Sequence, residues 1–351
     1  MTSSDEAKAA APNAPVSQRD AVLSVRQLKK YFPVHRGVLA RIVAQVKAVD
    51  GVSFDVRRGE ALCLVGESGC GKSTVARSIA RLEEPTSGTI LLDGVDITRL
   101  DQNAIRPYRR QMQMIFQDPY SSLNPRLSAG EIVGEPLSNY GLAAGAELEH
   151  KVAQLFERVG LRPDAMQKFP HEFSGGQRQR LGIARALALN PSLILADEPL
   201  SALDVSVQAQ VLNLLIDLQD ELQLAYLFVS HDLAVVEHIG HRIAVMYLGR
   251  IVELADNADL FSHPLHPYTE ALLAAAPTPE PGRERKRVIL EGDVPSPVAP
   301  PSGCHFHTRC PYATAACCEI DPPLIEVTPG HHVACLLRPA GGDQAPLTPS
   351  R

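Results

Sequence analysis

An α/β fold is predicted, with a phosphate-loop core of largely parallel strands, a helical subdomain and a small cysteine-bearing C-terminal extension. Three observations predict it. Gly66-Glu67-Ser68-Gly69-Cys70-Gly71-Lys72-Ser73 fills the pattern G-x-x-x-x-G-K-[ST] between an apolar run and a helical segment. Residues 191–254 alternate strand-like and helix-like stretches, the order of a largely parallel sheet. After Leu254 the composition changes, and five of the seven cysteines fall between Cys304 and Cys335.

The ends and the overall charge set bounds first. The 351 residues carry a formal charge of −6, which does not suit a general nucleic-acid surface. No stretch approaches the roughly 18–20 uninterrupted apolar residues that span a bilayer. Residues 1–21 are rich in Ala, Ser and Pro without an apolar core, so they are expected to be a disordered tail rather than a signal peptide. The chain is therefore expected to be soluble and cytoplasmic, reaching a membrane only through a partner.

Residues 22–100 carry strand patterns broken by the turn signals Asp50-Gly51, Arg58-Gly59 and Asp93-Gly94. Ala61-Leu62-Cys63-Leu64-Val65 reads as a buried strand feeding the glycine loop. Val75, Ile79 and Leu82 then keep helical spacing, and Pro85 closes the helix. Such a loop aims backbone N–H groups and a positive helix end at one point, as a polyphosphate requires. Residues 101–190 look mainly helical and hold Phe173-Ser174-Gly175-Gly176-Gln177-Arg178. Ser174 reads as an N-cap, and the paired glycines let a second phosphate approach. Leu193-Ile194-Leu195-Ala196-Asp197-Glu198 is a second strand ending in two carboxylates. Asp197 suits Mg²⁺ held through water beside the hydroxyl of Ser73. Glu198 is free to orient or deprotonate an attacking water.

Taken singly, Ser-Gly-Gly-Gln is a turn, Asp204 is a helix cap, and Gln117 and His231 are surface residues. Their serial order changes that weight. A phosphate loop is followed by Ile115-Phe116-Gln117, Ser174-Gly175-Gly176-Gln177, Leu195-Ala196-Asp197-Glu198-Pro199, Ser201-Ala202-Leu203-Asp204 and Val229-Ser230-His231-Asp232. From about Val22 to Leu254 the chain resembles an ABC-type ATPase. The absence of a heptad run or internal repeat argues against the chromosome-maintenance and repair members.

The resemblance implies that Gly66, Glu67, Ser68, Gly69, Cys70, Gly71, Lys72, Ser73 and Thr74 cradle ATP. Lys72 would meet the β- and γ-phosphates and Ser73 the Mg²⁺. Gln117 would sense metal and water, Asp197 support the metal, Glu198 act on the water and His231 contact the γ-phosphate. An aromatic would stack on adenine, Phe32 fitting that spacing best with Tyr31 as its neighbour. Ser174, Gly175, Gly176, Gln177 and Asp204 complete the nucleotide-binding set, the first three capping ATP held by a second subunit.

The clustered cysteines favour metal over disulfide if the compartment is reducing. Cys304, Cys310, Cys317 and Cys335 lack the paired C-x-x-C knuckles of zinc ribbons, and wide loops suit an iron–sulfur cube. His305, His307, His331 and His332 keep zinc open. The segment Gly303-Cys304-His305-Phe306-His307-Thr308-Arg309-Cys310-Pro311 resembles the extension of dipeptide, oligopeptide and nickel importer ATPases. Ile115 to Arg126 and His266-Pro267-Tyr268-Thr269 resemble the same group. There the extension can carry a 4Fe–4S cluster, which fits those four cysteines and leaves Cys318 a bystander.

The division implied is a tail to residue 21, an ATPase domain over 22–273, an extension over 274–340 and a tail over 341–351. The function implied is ATP hydrolysis energising peptide import from the cytoplasmic face of the inner membrane. Its partners would be a homologous ATPase subunit in a heterodimer, two permease subunits and, indirectly, a solute-binding protein. The rivals are a soluble ABC ATPase, for example in iron–sulfur assembly, and an importer of nickel or another solute. Because the cysteines lie far along the chain from the phosphate loop, losing them is expected to disturb the extension more than the phosphate chemistry.

Overall fold

The computed structural model describes residues 21–36, 41–275, 292–341 and 347. Residues 1–20 of the expected N-terminal tail lie outside them, while Ala21 opens the first strand. Among the described residues twelve strands form two sheets. They are β1 (Ala21–Arg36), β2 (Arg41–Arg57), β3 (Ala61–Val65), β4 (Ser87–Leu92), β5 (Val95–Asp96) and β6 (Met112–Ile115). The rest are β7 (Leu193–Asp197), β8 (Ala225–Val229), β9 (Arg242–Tyr247), β10 (Arg250–Asp256), β11 (Ile325–Thr328) and β12 (His331–Val333).

The larger sheet has the order β11-β12-β10-β9-β3-β8-β7-β6. From β9 through β3, β8 and β7 to β6 every pairing is parallel. β3, β7 and β8 are buried along their whole length, as strands covered on both faces must be. Alternate residues of β3 serve two cores. Ala61, Cys63 and Val65 pack toward the helical subdomain, while Leu62 and Leu64 pack toward the smaller sheet and the Lys72–Ile79 helix. That helix buries Val75 and Ile79, and burying such a side chain contributes about 1.5–3 kcal/mol.

Two local expectations are corrected. Asp50-Gly51 lies inside β2, where Gly51 adopts a φ of +88° beside a register shift in the β1–β2 pairing, so the glycine serves a bulge. The helix after the phosphate loop stops at Ile79, because Arg81 turns left-handed (φ 55°) and leaves Leu82 exposed. In the segment His266-Pro267-Tyr268-Thr269 a helix starts at Pro267 and is described to Ala275, with the buried His266 accepting the Tyr268 N–H at its Nδ1 (3.0 Å). Arg58-Gly59 and Asp93-Gly94 are turns, the latter with both residues at positive φ joining β4 to β5.

The extension is continuous with the core. β12 pairs with β10 through Glu253–Val333 and Leu254–His332, and β11 adds beyond it, so the larger sheet ends in extension strands. Distance along the chain is not distance in space.

Candidate functional site

The parallel strands β3, β6, β7 and β8 run the same way, so the loops after them open at one edge, where ligands of such sheets bind. After β3 comes the phosphate loop. A Cβ on Gly66 (φ +150°) would lie 2.2 Å from the Met246 carbonyl oxygen, and one on Gly71 (φ +107°) 2.0 Å from that of Ala48. Both positions thus require glycine for close backbone approach. Lys72 is buried and its Nζ donates to the carbonyls of Gly66 (2.8 Å) and Glu67 (3.0 Å). The loop itself thereby satisfies the lysine's charge.

Asp197 ends β7 wholly buried. Burial pushes its carboxyl above the ordinary range, opposed by the facing Ser73 hydroxyl and by the charges of Arg77 and Lys72. Neither oxygen has a hydrogen-bond partner among the described residues, and Arg77 Nε stays 3.6 Å away. An orphaned buried carboxylate opposite a hydroxyl fits a hydrated divalent cation.

The next residue is held unusually. Glu198 adopts a φ of +46°, which costs a non-glycine residue about 1–2 kcal/mol. Its N–H donates to the Val229 carbonyl (3.0 Å), and its Oε2 accepts from Gln117 Nε2 (3.0 Å). His231 Nδ1 lies 3.2 Å from the same oxygen. Loops after β6, β7 and β8 therefore bring Gln117, Glu198 and His231 together as the sequence order predicts. With Ser68, Gly69 and Gly71 to Thr74 they line a cavity of about 500 Å³ that extends past Ala48 to Val46.

Val46 is the cross-strand partner of Phe32. Tyr31, pointing the other way on the strand, donates its hydroxyl to Asp50, and burial with that carboxylate raises the phenol to about 12. Arg250 holds Asp50 in turn (2.8 Å). Tyr31 is thus committed elsewhere, which leaves Phe32 with Lys30 Nζ 4.6 Å over its ring.

Ser174, Gly175, Gly176 and Gln177 do not line this cavity. Ser174 Oγ accepts the Gln177 N–H (3.4 Å) and Gln177 Oε1 accepts the Ser174 N–H (3.0 Å), a capping box on the Gly175–Leu187 helix. The two glycines differ. A Cβ on Gly176 would strike Val207 at 2.3 Å, so that glycine serves packing, while Gly175 has only Leu203 at 3.5 Å. Asp204 caps the Val205–Leu222 helix through Val207 N–H (3.0 Å).

Sequence reasoning missed what stands behind the phosphate loop. Arg309, almost buried, grips both carboxylate oxygens of Glu67 (2.8 and 3.1 Å). Tyr268 receives the Glu67 N–H on its hydroxyl (2.8 Å) and packs with Tyr247 and Phe306 at ring separations of 4.8 and 5.5 Å. Tyr268 and Arg309 both lie in segments singled out by resemblance, but no local signal ties them to a loop some 200 residues earlier.

Cys304, Cys310, Cys317 and Cys335 are mutually close enough to influence one another's charge, whereas Cys318 is exposed and apart. The Cys304 N–H donates to the Cys317 carbonyl (2.9 Å). Burial pushes the Cys310 thiol to about 12 and the Cys335 thiol to about 11. Among the described residues no group of three or more Cys, His, Asp or Glu side chains gathers about one point as a single metal ion requires. His331, one of the histidines that kept zinc open, is buried against Glu253 (2.7 Å).

The sequence matches the family described as ABC transporter over residues 49–201, and the oligopeptide/dipeptide transporter C-terminal region over residues 252–317. It is 58% identical, across 94% of both chains, to a probable peptide ABC transporter ATP-binding protein of Sinorhizobium fredii. The chain belongs to the ABC transporter ATPases of the oligopeptide and dipeptide group. Among other relatives, the oligopeptide transport ATP-binding protein AppF of Bacillus subtilis is 53% identical over 92% of this chain and 98% of its own. A dimeric ATP-binding cassette solved in a post-hydrolysis state with ADP and phosphate superposes with a TM-score of 0.59 and 30% identity. That match spans 67% of this ABC ATPase and 98% of that chain.

Proposed function

We propose that this subunit hydrolyses ATP to drive the import of dipeptides or oligopeptides through a membrane permease. The convergence of the Lys72 loop and the Gln117–Glu198–His231 group on one cavity, with Asp197 buried next to Glu198 and facing Ser73, carries the reading. Lys72 exchanges its loop carbonyls for phosphate oxygens. Ser73 and Asp197 would hold Mg²⁺, which when bound neutralises developing phosphate charge. Glu198, fixed by Gln117 and His231, orients the attacking water and takes its proton. Phe32 flanks the base.

The Ser174–Gly175 helix end lies off this cavity in its own chain, which supports its use on ATP bound by a second subunit. A homologous ATPase partner fits that need, and closure then couples to hydrolysis. Two permease subunits would receive the motion, placing the chain peripherally on the cytoplasmic face of the inner membrane. No helix among the described residues is long and apolar enough to cross a membrane. The division into an ATPase domain over 22–273 and an extension over 274–340 is part of the same reading.

The extension would bind a 4Fe–4S cluster through Cys304, Cys310, Cys317 and Cys335. The wide spacing of these cysteines along the chain suits ligands spread around a cube. Glu198→Gln tests the catalytic assignment. ATP should still bind while hydrolysis falls about 10²–10⁴-fold. Turnover within threefold of wild type would assign the base elsewhere.

A further inference from the structure

One part of the nucleotide cavity comes from beyond the ATPase core. Residues 293–300 have no regular secondary structure, yet they are tied down. The Lys47 N–H on β2 donates to the Pro297 carbonyl (3.0 Å). Ser296 closes a turn, its Oγ accepting the Val298 N–H (3.3 Å) and its carbonyl the Ala299 N–H (3.2 Å). Pro297 sits in that turn half-buried and lines the cavity together with Val46, Ala48 and the phosphate loop.

The far end of this segment is fixed to the cysteine lobe. Ser302 Oγ donates to the Cys318 carbonyl (2.8 Å), and Gly303 (φ +63°) leaves no room for a Cβ against the Cys317 carbonyl oxygen at 2.5 Å. A strap thus runs from the cysteines across to β2. Its position relative to the phosphates is set by Gly71, which packs on Ala48. A base joined to a triphosphate held at Lys72 would follow the path past Ala48 to Val46.

We infer that the Pro297 turn is a wall of the base pocket, so that the extension helps to bind the adenosine part of ATP. This rests on the placement of the triphosphate at Lys72 proposed above. Pro297 suits the task because its carbonyl is already paired and its ring offers a stiff apolar face. Val294 and Val298, both exposed, flank it.

The test measures equilibrium binding of MgATP and of inorganic tripolyphosphate to the full-length chain, as wild type, Pro297→Gly and Pro297→Ala. Removing the ring should weaken ATP about fivefold, the scale expected for taking one small apolar group out of a base pocket, and leave tripolyphosphate within about twofold. Unchanged ATP affinity in both variants would overturn the inference and spare the phosphate site. Equal weakening of ATP and tripolyphosphate would also overturn it, since the turn would then act through the phosphate loop. Wild type that binds neither would refute the placement of the triphosphate itself.

Discussion

Replacing Arg309 by Ala should weaken both the fold and the phosphate site, and the two effects can be sized. The Arg309 side chain is 7% exposed and makes a two-point fork on Glu67, which is 32% exposed. Removing one partner of a fully buried pair costs about 3–5 kcal/mol. Glu67 is near enough to water to be rehydrated, so solvent screening brings the expected loss to about 1–2 kcal/mol. In a chain of this size that lowers Tm by about 2–6 °C. The loop keeps the Tyr268 hydroxyl on its backbone, so it loosens without collapsing, and the ATP KM should rise about threefold to tenfold. Thermal unfolding and steady-state hydrolysis in the reconstituted transporter measure the two. Arg309→Lys should recover little, because one ammonium cannot replace the fork. A double-mutant cycle with Glu67→Gln should give a coupling of about 0.5–2 kcal/mol. A lower Tm with an unchanged KM would refute the link to the phosphate loop, and no change in either would show the pair to be idle.

Lys72→Ala should fail at nucleotide binding, whereas Glu198→Gln should retain it; equal ATP affinity in the two variants would contradict the role of Lys72. Burial lowers His266 from 6.5 to about 4, so above pH 6.5 its contribution is complete. As pH falls from 6.5 to 4 the unfolded chain takes the proton first, and stability should drop by up to about 3 kcal/mol, a slope that His266→Asn should flatten in denaturant titrations. Protein purified without oxygen should be brown with about four irons per chain. Ser at Cys304, Cys310, Cys317 or Cys335 should remove the colour and Cys318→Ser should keep it, while colourless protein carrying one zinc would sink the cluster.

The sequence made the catalytic edge legible because its determinants are local. A glycine loop, a strand ending in Asp197-Glu198 and a capping box each announce themselves within a few residues, and parallel strands bring their ends to one edge. Phe32 and Tyr31 are neighbours on a strand and face opposite ways, Tyr31 toward Asp50, which spacing alone does not reveal. Other features needed the third dimension. Asp50-Gly51 reads as a turn because the dipeptide favours one, but the long pairing of β1 with β2 absorbs it as a bulge. Gly176 reads as a phosphate approach from its place in the motif, and its close packing against Val207 is a second demand for glycine that the sequence does not announce. The Glu67–Arg309 fork joins residues 242 apart, and nothing in either segment specifies the other.

That fork bears on how the phosphate loop works. Lys72 spends two of its three N–H donors on the carbonyls of Gly66 and Glu67, and if it gives these up for phosphate those carbonyls lose the donor that holds them. A glycine-rich loop released in this way would be free to shift just when its N–H groups must stay aimed. Tyr268 on the Glu67 N–H and Arg309 on its carboxylate hold the same residue from behind, and neither faces the cavity. They keep their grip whichever partner Lys72 takes. The aromatic cluster of Tyr247, Tyr268 and Phe306 stiffens that support, with Phe306 two residues from Cys304 in the chain. An extension that grips the loop and ends the main sheet in its own strands is built into the framework of the core rather than appended to it.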